Sequence, residues 1–179
     1  MHSDKVHRMG LFTAIWRLAQ QRWGEDQARH ALPKDALARL TVRIAASEQQ
    51  HTGQIRVVAE PGLPWSYLYR HATPRERALM LFSKHRVWDT EHNNGVLIYL
   101  LIPEHAIEIV ADGALSSRIS SDQWNAVMSD MSACFRQMQY EDGLSAAIDA
   151  VSSQLIRHFP RSDGLSGYLN ELPDTPVVG

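Results

Sequence analysis

Asn94-Gly95-Val96-Leu97-Ile98-Tyr99-Leu100-Leu101-Ile102-Pro103-Glu104-His105-Ala106-Ile107-Glu108-Ile109-Val110-Ala111-Asp112-Gly113 decides the fold of this chain. Val96 to Ile102 is apolar without a break, the pattern of a strand covered on both faces. Residues 106 to 111 read as a second strand, with Ile107 and Ile109 on one face and Glu108 on the other. Pro103-Glu104-His105 is short enough to join the two as a hairpin. A hairpin sets the start of its first strand beside the end of its second. The Asn93-Asn94-Gly95 loop is therefore expected near Asp112-Gly113, and any chemistry is expected there.

Burying a strand on both faces requires helices on both sides, since each large apolar side chain contributes roughly 1.5–3 kcal/mol only when fully covered. The flanking sequence supplies them. Upstream, Gln54 to Ala59 is a short β-branched strand between Gly53 and Pro61. Thr73-Pro74-Arg75-Glu76 starts a helix: Thr caps, Pro takes the first helical position and Glu returns to the cap. That helix runs to about His85, with Ala78, Leu79, Leu81 and Phe82 inward. Strand, helix and strand in this order form a βαβ unit, so the strands at 54–59 and 96–102 are expected to be parallel.

Further out, Pro33 opens a helix in which Leu37, Leu40, Ile44 and Ala45 recur at helical spacing to about Gln50. Before it, residues 11 to 23 place Leu11, Ile15, Leu18 and Ala19 on one face, with Gly24 as the stop. Downstream, Ser120-Ser121-Asp122-Gln123 is a second capping box, leading through Trp124, Met128, Met131 and Phe135. Tyr140-Glu141-Asp142-Gly143 breaks that helix, and a last one carries Leu144, Ile148, Val151 and Leu155 to Pro160. Residues 60 to 72 read as a loop in which Trp65, Tyr67 and Tyr69 alternate as in a marginal edge strand, with half-buried packing of the rings expected over an exposed aromatic patch for a partner. Residues 161 to 179 are rich in Gly, Ser, Pro and Asp and read as a loosely ordered tail.

Composition narrows the function classes. An apolar content of 44% and a net charge of −2 suit a globular protein and argue against a nucleic-acid binder. Residues 1 to 90 carry 14 Lys and Arg against 8 Asp and Glu, but these charges form no run. No apolar run approaches the roughly 20 residues of a membrane span, and no signal-like leader is read, so the expected compartment is the cytoplasm. The lone Cys134 excludes an internal disulfide and reads as a buried, inert thiol.

The chain resembles the TPM-domain family, named from a thylakoid lumen protein, a photosystem repair protein and a modulator of a nematode acetylcholine receptor. The matching features begin with Glu48, Gly53-Gln54-Ile55-Arg56-Val57-Val58, Arg77-Ala78 with Phe82, and Asn94-Gly95-Val96-Leu97-Ile98-Tyr99-Leu100. They continue with Val110-Ala111-Asp112, Trp124, Phe135 with Tyr140 and Gly143, His158-Phe159-Pro160 and Asn170-Glu171-Leu172-Pro173-Asp174, the last as in the soluble bacterial branch. The resemblance implies an α/β fold with a small mixed sheet sandwiched between α-helices. With the residues above it divides the chain into an N-terminal helical extension at 1–32, a TPM-like domain at 33–160 and a flexible tail at 161–179. It also implies that some members act as acid phosphatases on phosphomonoesters and that some bind calcium. Soluble relatives carry Asp-Arg where this chain has Glu104-His105, and Asp-Arg-Gly-Ile where it has Asp112-Gly113-Ala114-Leu115.

If the three strands align, polar segments from separate parts of the chain share one end of the sheet. They are Glu48 and His51, the approach loop with Asp89, Asn93 and Asn94, and the hairpin exit with Asp112 and then Asp122 at a helix start. Carboxylate and amide oxygens are the ligands of a hard cation, Ca2+ or Mg2+, which in turn can orient a phosphate and a water. The candidate metal ligands are therefore Asp112, Asp89, Asn93, Asn94, Glu48 and Asp122. Glu48-x-x-His51 has the spacing of half a di-iron site, but the second half is missing and a helix-end pair is expected. No GxSxG, Walker loop or Cys with a five-residue spacer to Arg is present. The function expected first is a binding module for a protein partner with a weak cation site. The alternative is a weak metal-assisted acid phosphatase.

Overall fold

The computed structural model describes residues 26–161 and 170–179. The expected helix over 11–23 and its stop at Gly24 lie outside them; residues 26–31 are helical. The order that follows is α1 (Lys34–Glu48), β1 (Ile55–Glu60), α2 (Trp65–Tyr69), α3 (Pro74–Lys84), β2 (Val96–Leu101) and β3 (Ala106–Ala111). Then come the single turn α4 (Gly113–Ser116), α5 (Ser121–Arg136), α6 (Tyr140–His158) and β4 (Val177–Val178).

The hairpin and the βαβ unit form as their residues dictate. β2 and β3 pair antiparallel from Val96↔Ala111 to Leu101↔Ala106, and β1 and β2 pair parallel from Ile55↔Val96 to Glu60↔Leu101. The hairpin turn is a 3-10 turn over Ile102–Glu104, closed by His105 in the left-handed region (φ 49). The sheet order is β3-β2-β1-β4, a small mixed sheet between helix layers. Every residue of β2 is buried because its two faces serve two cores. Val96, Ile98 and Leu100 join Leu40 and Ile44 of α1 and Leu144, Ile148 and Leu155 of α6. Leu97, Tyr99 and Leu101 join Ala78 and Leu81 of α3, with Val87 and Leu172.

Five expectations are corrected. Trp65 to Tyr69 is a short helix rather than an edge strand, and none of its residues is buried. Pro64 precedes it in the extended conformation that suits a helix start, and the rows of the sheet are already taken by β1, β2 and β3. Tyr140-Glu141-Asp142-Gly143 does not interrupt a helix but forms the first turn of α6; the break falls at 137–139, with Met138 at φ 58. Leu79 faces out, and Arg77 takes the inward place, held by Glu60. Residues 170–179 are packed rather than loose: Leu172 is buried, Val177–Val178 pairs with Val58–Ala59 of β1, and Gly179 N donates to the Ala59 carbonyl at 3.2 Å. Cys134, expected buried, is partly exposed. Among the described residues, no helix is long and apolar enough to cross a membrane.

Candidate functional site

The parallel β1 and β2 begin at one end of the sheet, and β3 ends there. The loop before β2 is stitched to both neighbours. On one side Val96 N donates to Gln54 O at 2.8 Å, and the Asn94 side-chain Nδ2 donates to Thr52 Oγ1 at 3.1 Å. On the other, Asp112 N donates to Gly95 O at 2.9 Å and Ala114 N to Asn93 O at 3.1 Å. Asn94 N donates to Thr90 Oγ1 at 3.2 Å, which folds the loop back on itself. Gly95 is required by close approach: a Cβ there would stand 1.9 Å from the Val87 carbonyl oxygen. Asn93, at φ 50, adopts the left-handed conformation that Asn tolerates better than most residues.

Asp112 is half-buried and divided in its duties. Its Oδ1 accepts from Gly113 N at 2.7 Å and its carbonyl accepts from Ser116 N at 2.8 Å, so it caps α4. Its Oδ2 is buried and has no hydrogen-bond partner among the described residues. Asn94 is fully buried, and its Oδ1 likewise has no partner among them. Two acceptors without donors at one rim stand out, because buried polar groups are satisfied in the great majority of cases.

Behind the rim, α1 ends on two buried polar residues. Glu48 Oε1 accepts from Ile55 N at 2.7 Å, tying the helix to the first residue of β1. His51 faces the Gly53 carbonyl through Nδ1 at 3.1 Å; a carbonyl only accepts, so Nδ1 carries the hydrogen. Nε2 is then the acceptor for the Ser47 hydroxyl at 2.8 Å, and Ser47 in turn meets Ser152 of α6. Burial pushes the His51 imidazole down to about 4, against a smaller upward effect of the Gly53 carbonyl, so it is neutral at pH 7. Glu48 and His51 are thus a helix-end pair, as their spacing alone suggested.

The structure brings Asn93, Asn94 and Asp112 to one place and sets Glu48 behind them. Asp89 is exposed on the approach loop, and Asp122 is exposed in the first turn of α5, beyond α4 in the chain. His105 belongs to the opposite end, where its ring stacks on Tyr140 at 6.0 Å. Among the described residues, no three His, Cys, Asp or Glu side chains form a group that could hold a metal. Sequence reasoning missed Thr52 and the packing of the tail. Glu171 accepts the Glu91 N–H at 3.1 Å, and Gln54 Oε1 accepts the N–H groups of Glu171 and Leu172, both at 3.1 Å. Gln54 and Glu171 are 117 positions apart, and no periodic signal links them.

A family model described as TPM domain matches residues 25–154, in keeping with the resemblance read from the sequence. The fold is similar to the NMR structure of the BA42 protein from the psychrophilic bacterium Bizionia argentinensis, with a TM-score of 0.71 and 24% sequence identity. That likeness covers 83% of this chain and 95% of the other. No curated protein matches the chain.

Proposed function

The chain belongs to the TPM domain family, and from that premise we propose that it is a binding module whose sheet rim holds a divalent cation weakly. The observation that carries this reading is the pair of buried oxygens that lack a donor among the described residues, Asp112 Oδ2 and Asn94 Oδ1, in the segments that flank the paired ends of β2 and β3 at that rim. A hard cation is the partner such oxygens lack, and Ca2+ accepts irregular mixtures of carboxylate, amide and water oxygens more readily than Mg2+. Asp112 and Asn94 would hold it, with Asn93 and Asp89 of the same loop as further oxygen donors. Glu48, committed in part to Ile55, and the exposed Asp122 would contribute charge rather than the first contacts. A single partly buried carboxylate makes the site weak, in the roughly millimolar class. The protein partner would meet the rim.

Thermal unfolding in rising Ca2+ tests it. The midpoint of the wild type rises once the ion exceeds its dissociation constant, and Asp112→Asn abolishes the rise. A wild type indifferent to millimolar Ca2+ and Mg2+ overturns the cation site. The acid-phosphatase alternative needs a water or side-chain nucleophile aimed at a phosphomonoester on the rim. The one serine hydroxyl among the described residues that reaches the His51 ring, Ser47, is turned towards Ser152 of α6 instead. Hydrolysis of a generic phosphomonoester, dependent on the ion and lost in Asp112→Ala, would reverse this order.

A further inference from the structure

The short helix α2 turns large apolar side chains outward. None of its five residues is buried: Trp65 is 53% exposed, Leu68 46% and Tyr69 90%. Single exposed apolar residues are ordinary, but three within one helical turn form a patch. The backbone presents them stiffly. Pro61-Gly62 and Pro64 precede the turn, and His71 at φ 52 reverses the chain before Pro74 starts α3. Tyr67 anchors the turn from within, its ring 4.5 Å from the Arg70 guanidinium and 5.1 Å from that of Arg77. With Tyr69 almost wholly in solvent, the feature is a tip rather than a groove.

Charge indicates what such a tip meets. Residues 61–90 carry five Lys and Arg against two Asp and Glu, on a chain whose net charge is −2. Of these cations Arg77 is matched by Glu60 and Arg75 by Glu108, while Arg70 stands a looser 4.0 Å from Glu76 and is exposed, as are Lys84 and Arg86. Trp and Tyr combine an apolar ring with one polar hydrogen, the chemistry that settles at the boundary between lipid headgroups and acyl chains. Positive side chains nearby favour an acidic leaflet. A bilayer receives a tip without a complementary pocket, which a protein partner would have to provide. We propose that α2 is a contact for an anionic lipid surface, with Trp65, Leu68 and Tyr69 entering the headgroup boundary and Arg70 meeting lipid phosphate. The contact lies on the membrane and does not span it.

Co-sedimentation of the full chain with lipid vesicles tests this. Vesicles of phosphatidylcholine with about one-third phosphatidylserine should bind it about tenfold better than phosphatidylcholine alone, and high salt should remove most of the difference. The double variant Trp65→Ser/Tyr69→Ser should lose about tenfold in binding to the acidic vesicles, and Tyr69→Ser alone, at a side chain 90% exposed, should weaken binding with its unfolding midpoint unchanged. Arg70→Glu should weaken binding with the aromatic residues intact. Absence of binding to acidic vesicles overturns the proposal. So does equal binding to neutral vesicles, or a double variant that binds like the wild type.

Discussion

His51 is enclosed where two parts of the chain meet: it pairs with Pro160 as an isolated bridge, while Thr52 N donates to Phe159 O and Arg161 N to Gln50 O. Its imidazole is held near 4 by burial, below the 6.5 of an ordinary histidine. Between those values the unfolded chain binds a proton that the folded chain refuses. Stability from this residue is therefore complete above pH 6.5 and lost as the pH falls towards 4, on the order of 3 kcal/mol at roughly 1.4 kcal/mol per unit. His85, lowered chiefly by burial and then by Arg56, acts in the same direction. Glu108, raised by burial, acts in the opposite one just above its ordinary range. Urea unfolding at about pH 7.5 and 4.5 should show a loss in the wild type that His51→Gln largely removes. Gly95 gives a second prediction at this scale. The Val87 carbonyl leaves no room for a methyl group, so Gly95→Ala should cost about 3 kcal/mol and blunt the Ca2+ response through the Gly95–Asp112 hydrogen bond. A denaturation midpoint close to that of the wild type would contradict the close approach.

The elements were legible in the sequence to the degree that their packing is periodic. β2 and β3 could be read because burial on two faces and on one leaves different patterns, and α3 because Thr73 caps it, accepting from Glu76 N at 3.2 Å. α2 misled because Trp65, Tyr67 and Tyr69 imitate a strand's alternation, although no sheet edge receives them. Arg77 misled because a charged residue inside α3 has its justification elsewhere in the chain. Its guanidinium clasps Glu60 at the end of β1, with Nε donating to Oε2 at 2.8 Å, and Tyr99 of β2 donates to the same oxygen at 2.9 Å. The Glu60 carboxylate raises the Arg77 pKa, and the burial of Tyr99 raises that of its phenol. The pair clamps α3 onto two strands. Removing one partner leaves a charge stranded in a nearly enclosed place, so Arg77→Met or Glu60→Gln alone should cost about 3 kcal/mol. The double variant Glu60→Gln/Arg77→Met should cost less than the sum, and a coupling of zero in that cycle would remove the clamp from the account.

On the scale of the molecule, the convergence at the rim was foreseeable because a parallel pair and a hairpin admit few arrangements: Asp112 had to return beside Gly95. Which of the gathered oxygens would lack a donor was not foreseeable, since that depends on Thr52, Thr90 and Gly113 taking the other bonding positions. Nor was the role of the tail. It is secured by side chains just before and within β1 rather than by a repeating pattern, with Gln54 receiving Glu171 and Leu172 and Arg56 Nη1 donating to the Pro173 carbonyl and, at 3.0 Å, to that of Thr175. Leu172 fills the core beneath α3, so Leu172→Ala should lower stability by about 2–3 kcal/mol in chemical denaturation, whereas a freely moving tail would leave it unchanged.

The order β3-β2-β1-β4 places residue 58 beside residue 177. On the ribosome, β1 emerges well ahead of β4 and waits with a flank bare until β4 follows. During that interval its unsatisfied peptide groups can recruit a neighbouring nascent chain. Completing the flank only with β4 ties the correct assembly of this protein to the arrival of the 170–179 segment, so changes there should reduce the yield of soluble chain before they affect anything the finished molecule does.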